Sequence, residues 1–546
     1  MLSTSLPQFV PLGEAIPADS HDTILCSLPT MKSMNALGAF EDWIISQLTV
    51  HYPRFWFTKD VRELSEGILK RLGLDGVDGV TCLVLPSLPS VSRFVGAIQE
   101  AGCPGDEVIP VQFSRPESLP SKTSWLDIYA IIYPYQYFDV AFQCWFLTGD
   151  GISPRHAAFC LTGFDYLQST SSNPAFCTTG PKSLSMKEGK IPVLPTSETV
   201  ERDCVKQDIA TLLQPEDWDQ EPLSPGDVFL YPGGMSAINA VARTVENMGI
   251  NSGVVAFGFL YIETLKILEQ RWSDLAIYKK GGDEELDRLE AFLKSGAQIT
   301  ALWVDVPSNP MLITPDMPRI RRLATEYCFL VLIDGTVGGF VNIDILPYAD
   351  VLMSSLTKMF SGRANVLAGS VIVNPRSTYY ENLHRQLTVS HENTLFPGDL
   401  AVLYRNSRDY VYRVETTNKH AEIIAAKLAS HPVIARVNYP IMTTNSHYER
   451  IRRPNGGYGH LLSIIFRENE TAARFYDGVG IFKGGSFGTI FTLSTPFAQL
   501  STHEDRCRLE ESGIPSHIIR ISIGMEDVDL LWDTLFKALE MATMRD

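Results

Sequence analysis

Between Gly226 and about residue 385, short apolar runs alternate with stretches of helical periodicity, and this constrains the fold more than any other feature of the chain. Val228-Phe229-Leu230-Tyr231 reads as a buried strand, Pro232-Gly233-Gly234 as a turn, and Ile238, Val241, Ala242 and Val245 as the apolar stripe of the next helix. Residues 254–260, 299–304, 329–333, 351–354 and 370–373 are further strand candidates, with helix patterns at 262–272 and 317–327. Such alternation predicts an α/β fold built on a doubly wound, mostly parallel sheet.

Four units are expected along the chain. Residues 1–65 are irregular and rich in Pro, Ser and aromatics, and read as an N-terminal arm. Residues 66–215 form an accessory αβ segment, with strand candidates at 80–85 and 128–132. It closes in a linker placed over the polar stretch 195–226, which carries the acidic patch Glu216-Asp217-Trp218-Asp219. Residues 216–385 are the large domain, and residues 386–546 a smaller C-terminal α+β domain with antiparallel-type strands at 460–466 and 518–523.

Charge and cysteine usage narrow the partners. Lys plus Arg number 46 against 63 Asp plus Glu, a net charge of −17, the wrong sign for a phosphate-backbone binder, so no nucleic acid is expected. The nine cysteines include no C-x-x-C pair and are odd in number, which speaks against a disulfide framework and for a reducing compartment; no metal is expected. The first basic residue is Lys32, so no secretory or transit signal is read, and no uncharged apolar run reaches the ~18 residues of a membrane span. The expectation is a cytoplasmic protein acting on small molecules without a membrane.

In an open α/β sheet the ligand lies beyond the carboxyl ends of the strands. After the first strand stands Gly233-Gly234-Met235-Ser236, whose glycines let the backbone approach a ligand while a helix N-terminus offers N–H groups to a phosphate. Taken alone, that turn is equally a plain strand-to-helix connection. Asp334 follows 329–333, where an apolar strand end makes a carboxylate costly without a partner. Ser355-Leu356-Thr357-Lys358 follows 351–354. A phosphate cradle, a carboxylate and a strand-end lysine together match the needs of pyridoxal 5′-phosphate (PLP): a Schiff-base lysine, a partner for the pyridine nitrogen and a phosphate site. Tyr261 offers an aromatic face for the ring, or is a half-buried core tyrosine.

These residues carry a resemblance. Pro307-Ser308-Asn309-Pro310, Ile333-Asp334-Gly335-Thr336-Val337-Gly338, Ser355-Leu356-Thr357-Lys358-Met359-Phe360-Ser361-Gly362 and Arg520-Ile521-Ser522-Ile523-Gly524-Met525-Glu526-Asp527 resemble the Cys/Met-metabolism PLP-dependent (trans-sulfuration) enzymes, and among them the fungal-type cystathionine γ-synthases. Ser27-Leu28-Pro29-Thr30, Tyr52-Pro53-Arg54-Phe55 and Thr148-Gly149-Asp150-Gly151-Ile152-Ser153 look like the opening and accessory segment of that subgroup. The resemblance implies fold type I, the aspartate aminotransferase-like PLP fold. It makes Lys358 the Schiff-base lysine and Asp334 the pyridinium partner, sets Asn309 near the ring hydroxyl, and gives the phosphate to Gly234, Met235, Ser355 and Thr357. Tyr52 and Arg54 would reach the phosphate from a neighbouring subunit, so a homodimer or homotetramer with shared sites is implied. Arg520, helped by Ser486, would receive the substrate α-carboxylate, because a planar guanidinium matches a carboxylate bidentately.

Departures bear on the substrate. Gly233 stands where the family commonly has Ser, Asp305 replaces a Glu, Gly335 replaces an Asp, and Arg363 is an unexpected charge five residues after the lysine, a candidate for the second-substrate site. The expected chemistry is γ-replacement on an O-acyl-L-homoserine such as O-acetyl-L-homoserine, with Lys358 as acid and base and Tyr261 or Tyr52 assisting. Cysteine as nucleophile would give cystathionine. A carbon or nitrogen nucleophile in a fungal biosynthetic pathway is the alternative, and a C–S lyase a lesser one. From another class, Gly484-x-Ser486-x-Gly488, with Asp505 and His517 in hydrolase order, fits a nucleophile elbow, but residues 489–493 read as strand where an elbow needs helix. A non-catalytic scaffold gives no reason for Lys358, Asp334, Arg54 and Arg520 to occur together.

Overall fold

The computed structural model describes residues 10–17, 22–50, 52, 56–116, 126–178, 198–215, 222–249 and 253–544. The accessory segment is a four-stranded antiparallel sheet of β1 (Val80–Leu85), β2 (Ile109–Ser114), β3 (Ile128–Pro134) and β4 (Gln168–Ser171), in the order β1-β3-β2-β4. Its two faces bury separate clusters, one around Val84, Phe113 and Ile132 and the other around Leu85, Phe94 and Ile131.

The central sheet holds β5 (Val228–Tyr231), β6 (Gly253–Phe257), β7 (Leu275–Tyr278), β8 (Ile299–Asp305), β9 (Leu330–Asp334), β10 (Val351–Ser355) and β11 (Gly369–Val373). Their order is β5-β11-β10-β9-β8-β6-β7, with β11 running against both its neighbours and the other pairings parallel. Every residue of β5, β8 and β11 is buried, as strands covered by helices on both faces require. The edge strand β7 is an apolar Leu-Ala-Ile-Tyr run that is only partly buried, and it is absent from the strand candidates read in the sequence. A five-stranded sheet of β12 (Ile434–Asn438), β13 (Leu461–Phe466), β14 (Phe482–Lys483), β15 (Leu493–Pro496) and β16 (Ile518–Ser522) forms the C-terminal unit, in the order β12-β13-β16-β15-β14.

Three expectations about organisation are corrected. The linker placed over 195–226 contains the helix Glu198–Leu213, whose Val205, Ile209, Ala210 and Leu213 are fully buried in the core of the large sheet. Those apolar residues recur at i, i+4 and i+8 between polar ones, so a low apolar content concealed a complete stripe. The acidic patch at 216–219 lies outside the described residues. The arm is less irregular than expected: it carries the helices Met31–Gly38, capped by Thr30, and Asp42–Ile45. Leu28, Met34, Leu37 and Ile44 pack into the core of the C-terminal unit. Finally, the boundary at 385/386 cuts the helix Tyr380–Ser390, whose Leu383 and Leu387 pack on the central sheet, and the boundary at 65/66 cuts Lys59–Arg71. Composition does not change inside a helix that bridges two units, so it cannot mark such a border. Among the described residues no helix is long and apolar enough to cross a membrane.

Candidate active site

Five parallel strands and the turns that follow them end on one cavity of roughly 250 Å³. Gly233, Gly234 and Met235 follow β5, Tyr261 follows β6, Asp305 ends β8, Asp334 ends β9, and Ser355, Thr357 and Lys358 follow from β10; all but Asp305 stand where the strand-end reading put a ligand, and all line the cavity. Asn309 and Arg520 line it from the Pro-Ser-Asn-Pro turn and from β16.

Lys358 is held by hydroxyls. Its Nζ donates to Tyr52 Oη at 2.9 Å and to Ser486 Oγ at 2.8 Å. It also sits 4.9 Å from the Tyr52 ring centre and 4.8 Å from that of Phe487, so two aromatic faces share the ammonium charge. Thr357 Oγ1 accepts from Ala368 N at 3.0 Å and so pins the turn to the start of β11, while Ser355 N donates to Thr336 Oγ1 at 2.8 Å. The Thr357 hydroxyl is therefore engaged with backbone, although the residue lines the cavity.

The carboxylates form a pair. Asp305 and Asp334 are register partners at the ends of neighbouring strands. Burial raises the Asp305 pKa well above the usual carboxylate range and the Asp334 charge raises it further, against the bond Asp305 accepts from Tyr261 N at 2.9 Å. Burial raises Asp334 as well, opposed by hydrogen bonds from Thr336 and by the Lys358 charge. Two carboxyls this close hold a proton or want a cation.

Arg520 shows the converse demand. It is 4 % exposed, and its guanidinium donates to Asn309 Oδ1 at 3.1 Å, Ser486 O at 2.9 Å and Thr495 Oγ1 at 3.2 Å, all of them neutral. Burial lowers its pKa to about 10. A buried cation with only neutral acceptors is costly until an anion arrives.

The helix Gly234–Asn247 begins without a side-chain cap, which leaves first-turn N–H groups for an anion. A Cβ on Gly234 would stand 2.9 Å from Ser355 Cβ, and one on Gly149 only 2.6 Å from Ser236 N, so the cradle is closed by residues that only glycine can occupy. A helix-end anion site, a carboxyl pair placed for a protonated ring nitrogen, and a lysine between them fit PLP.

A model of the Cys/Met metabolism PLP-dependent enzymes matches residues 223–540, and one of the fungal trans-sulfuration enzyme N-terminal domain matches residues 60–153. The chain belongs to the Cys/Met metabolism PLP-dependent enzymes. Among its relatives, the cystathionine γ-synthase-like protein ankD of Aspergillus thermomutatus is 39 % identical, over 98 % of this chain and 95 % of its own length. The cystathionine γ-synthase of Neurospora crassa is 31 % identical, over 97 % of this chain and 98 % of its own. The fold is that of the cystathionine γ-synthase of Xanthomonas oryzae pv. oryzae, solved with aminoacrylate and cysteine: TM-score 0.54, 22 % identity, covering 70 % of this chain and 97 % of that one. This is accordingly a fold type I, PLP-dependent enzyme of cystathionine γ-synthase-like type.

Against that family frame, four site residues stand as follows. Tyr52, which the resemblance assigns to a neighbouring subunit, meets Lys358 within this chain, where the arm packs on the C-terminal unit and then passes the cavity. Arg54 lies outside the described residues. Arg363 does not line the cavity: its Nη2 donates to Asp409 Oδ2 at 2.9 Å, a carboxylate it shares with Arg413. A charged residue five positions past the lysine has turned away by the end of the turn. Ser486, expected to help Arg520, joins it to the lysine: its carbonyl accepts from Arg520 while its hydroxyl accepts from Lys358. The hydrolase alternative needs Asp505 for a triad, and that carboxylate is taken by Lys266 at 2.8 Å and Thr502 at 2.8 Å. Residues 489–492 are not the strand expected there, β15 beginning only at Leu493, and no helix follows Ser486 to make an elbow.

Two features went unread in the sequence. Arg413, fully buried, donates to the carbonyls of Met359, Phe360 and Asn406, at 2.9, 2.7 and 2.8 Å, and so clamps the turn after Lys358. An arginine in a mixed helix carries no local sign of this. The second is the cavity's far wall, built by Phe57, Phe142, Trp145 and Phe146 of the N-terminal segments.

Proposed function

We propose that this enzyme catalyses γ-replacement on an O-acyl-L-homoserine, with O-acetyl-L-homoserine as donor. The observation that carries the reading is Arg520, a buried guanidinium with only neutral partners, opening on the same cavity as Lys358. Together they suit an α-amino acid held by its carboxylate with its Cα presented to an amine.

PLP would be held by Lys358 Nζ, by Asp334 at the ring nitrogen, by the start of the Gly234–Asn247 helix at the phosphate and by Tyr261 beside the ring. When bound there, it supplies an electron sink for the charge left at Cα. Arg520 binds the donor's carboxylate and fixes the orientation of Cα. Lys358, once free, takes the Cα proton and returns protons along the chain, which an amine between two hydroxyls and two rings is placed to do. Tyr52 Oη, 2.9 Å from that amine, is placed to hold a proton during the exchange. Asp305 fixes the Tyr261 backbone. The acyl group leaves Cγ as a carboxylic acid and a nucleophile takes its place, cystathionine being the product if that nucleophile is cysteine.

A carbon or nitrogen nucleophile is the second reading, favoured by the aromatic far wall, which a small polar amino acid would leave unused. Purified enzyme given O-acetyl-L-homoserine with thiols, amines and β-keto acids, and products identified by mass spectrometry, tests both. Release of acetate with a new Cγ bond is the expected result; no acetate release with any partner would overturn the proposal.

A further inference from the structure

The cavity does not stop at the lysine. It continues to the helix Phe138–Thr148, where Phe142 and Phe146 face it and Phe57 packs 5.8 Å from Phe142, ring centre to ring centre. Phe40 meets Phe142 edge-on at 6.3 Å. This wall comes from the arm and accessory segment, outside the 223–540 match to the PLP family.

Against that helix packs Ile262–Arg271, which brings Glu263 to the cavity. Glu263 is 6 % exposed, and its Oε2 is buried without a hydrogen-bond partner. Its place in the first helical turn favours a negative charge, yet supplies that oxygen with no donor. The neighbouring ammonium, Lys266, is committed to Asp505, 2.8 Å away, and Asp505 keeps its own Oδ1 unpartnered. Two carboxylates against one ammonium leave this end of the cavity short of a cation, and a carboxylate oxygen in an apolar wall is costly until a donor reaches it.

We infer that the second substrate has an apolar body of about ring size and carries an ammonium group, the body lying against Phe142 and the ammonium against Glu263. This rests on the γ-replacement reading. The step consumes nothing further: a bond forms between the nucleophilic atom and Cγ, the Cγ–O bond of the donor breaks, and the nucleophile's proton leaves with the carboxylic acid. Cysteine has an ammonium for Glu263 but no apolar body for the aromatic wall, whereas the proposed class supplies both apolar contact and a charge-assisted hydrogen bond.

The test uses PLP-loaded enzyme and calorimetric titration with N,N-dimethylphenethylamine, a tertiary amine that cannot condense with the cofactor, beside 2-phenylethanol and tetramethylammonium. Wild type should bind the amine at least about tenfold more tightly than either fragment. Glu263→Gln should abolish the preference over 2-phenylethanol, and Phe142→Ala should weaken both aromatic compounds by about tenfold. Equal binding of all three by wild type would overturn the inference without need of any variant, as would an unchanged preference in folded Glu263→Gln. Acetate release from O-acetyl-L-homoserine by wild type is measured alongside. Its absence counts against γ-replacement, and its presence without the binding preference counts against the second-substrate class alone.

Discussion

At the scale of single residues, Lys358 is bonded to two hydroxyls that come from opposite ends of the chain. With PLP bound, the enzyme should absorb in the visible, and borohydride should bleach it and leave the label on Lys358; a label elsewhere would remove this lysine from its role. Asp334→Asn replaces the carboxylate with a neutral amide, so turnover should fall at least about a hundredfold with little change in melting temperature. Equal losses in both would make Asp334 structural. His156 is a different case, lying far from the chemistry with its ring stacked on Phe396 at 4.5 Å and its Nε2 without a partner. Burial lowers its pKa from 6.5 to about 4. The unfolded chain therefore takes up the proton first as pH falls, so stability is whole above pH 6.5 and is lost towards pH 4, by roughly 3 kcal/mol. His156→Phe should flatten that part of the profile of urea midpoint against pH, and an unchanged profile would refute the assignment. Periodicity by itself shows none of these partners. Lys358 and Asp334 were legible because strand periodicity places them at carboxyl ends, but the hydroxyls on Lys358 come from positions 52 and 486, with no pattern joining them.

At the scale of elements, the carboxyl edge of the central sheet collects the site while the helix Tyr410–Ala429 steadies it from behind. Arg413 on that helix ties two carbonyls of the turn that follows Lys358 to the carbonyl of Asn406, and burial lowers its pKa to about 9. A lysine there cannot offer the same fork of donors. Arg413→Lys should therefore lose about 3 kcal/mol of stability by urea unfolding and reduce turnover through a displaced Lys358. A variant of unchanged stability would show that the clamp is dispensable. The helix Glu198–Leu213 makes the complementary point. Its stripe of Val205, Ile209 and Leu213 was visible in the sequence, but a stripe alone does not say whether a core is there to receive it.

For the molecule as a whole, the arm, the accessory segment, the large sheet and the C-terminal unit of one chain all reach the same cavity. Tyr52 belongs to the arm and meets Lys358 of its own chain, so mixing a Tyr52→Ala variant with a Lys358→Ala variant should restore no activity, even under conditions that exchange subunits. Recovery towards about a quarter of wild-type turnover would show instead that the tyrosine crosses between chains. A site built this way couples the accessory segment to catalysis. It is held to the large sheet by Arg93, whose guanidinium binds Asp150 at 2.7 Å and Glu392 at 2.6 Å.

By itself the sequence determined the alternation of strands and helices, hence a mostly parallel sheet, and with it the strand-end positions of the glycine turn, Asp334 and Lys358. Those follow from periodicities of two to four residues, which each local segment carries whatever its neighbours do. Only the tertiary structure decided that Tyr52 meets Lys358, that Arg363 turns to Asp409 and away from the cavity, and that phenylalanines of the N-terminal segments wall a site whose lysine lies some 200 to 300 positions later. Such choices rest on contacts between segments far apart in the chain. Their free energy depends on shape, burial and satisfied polar groups that exist only once the segments have packed.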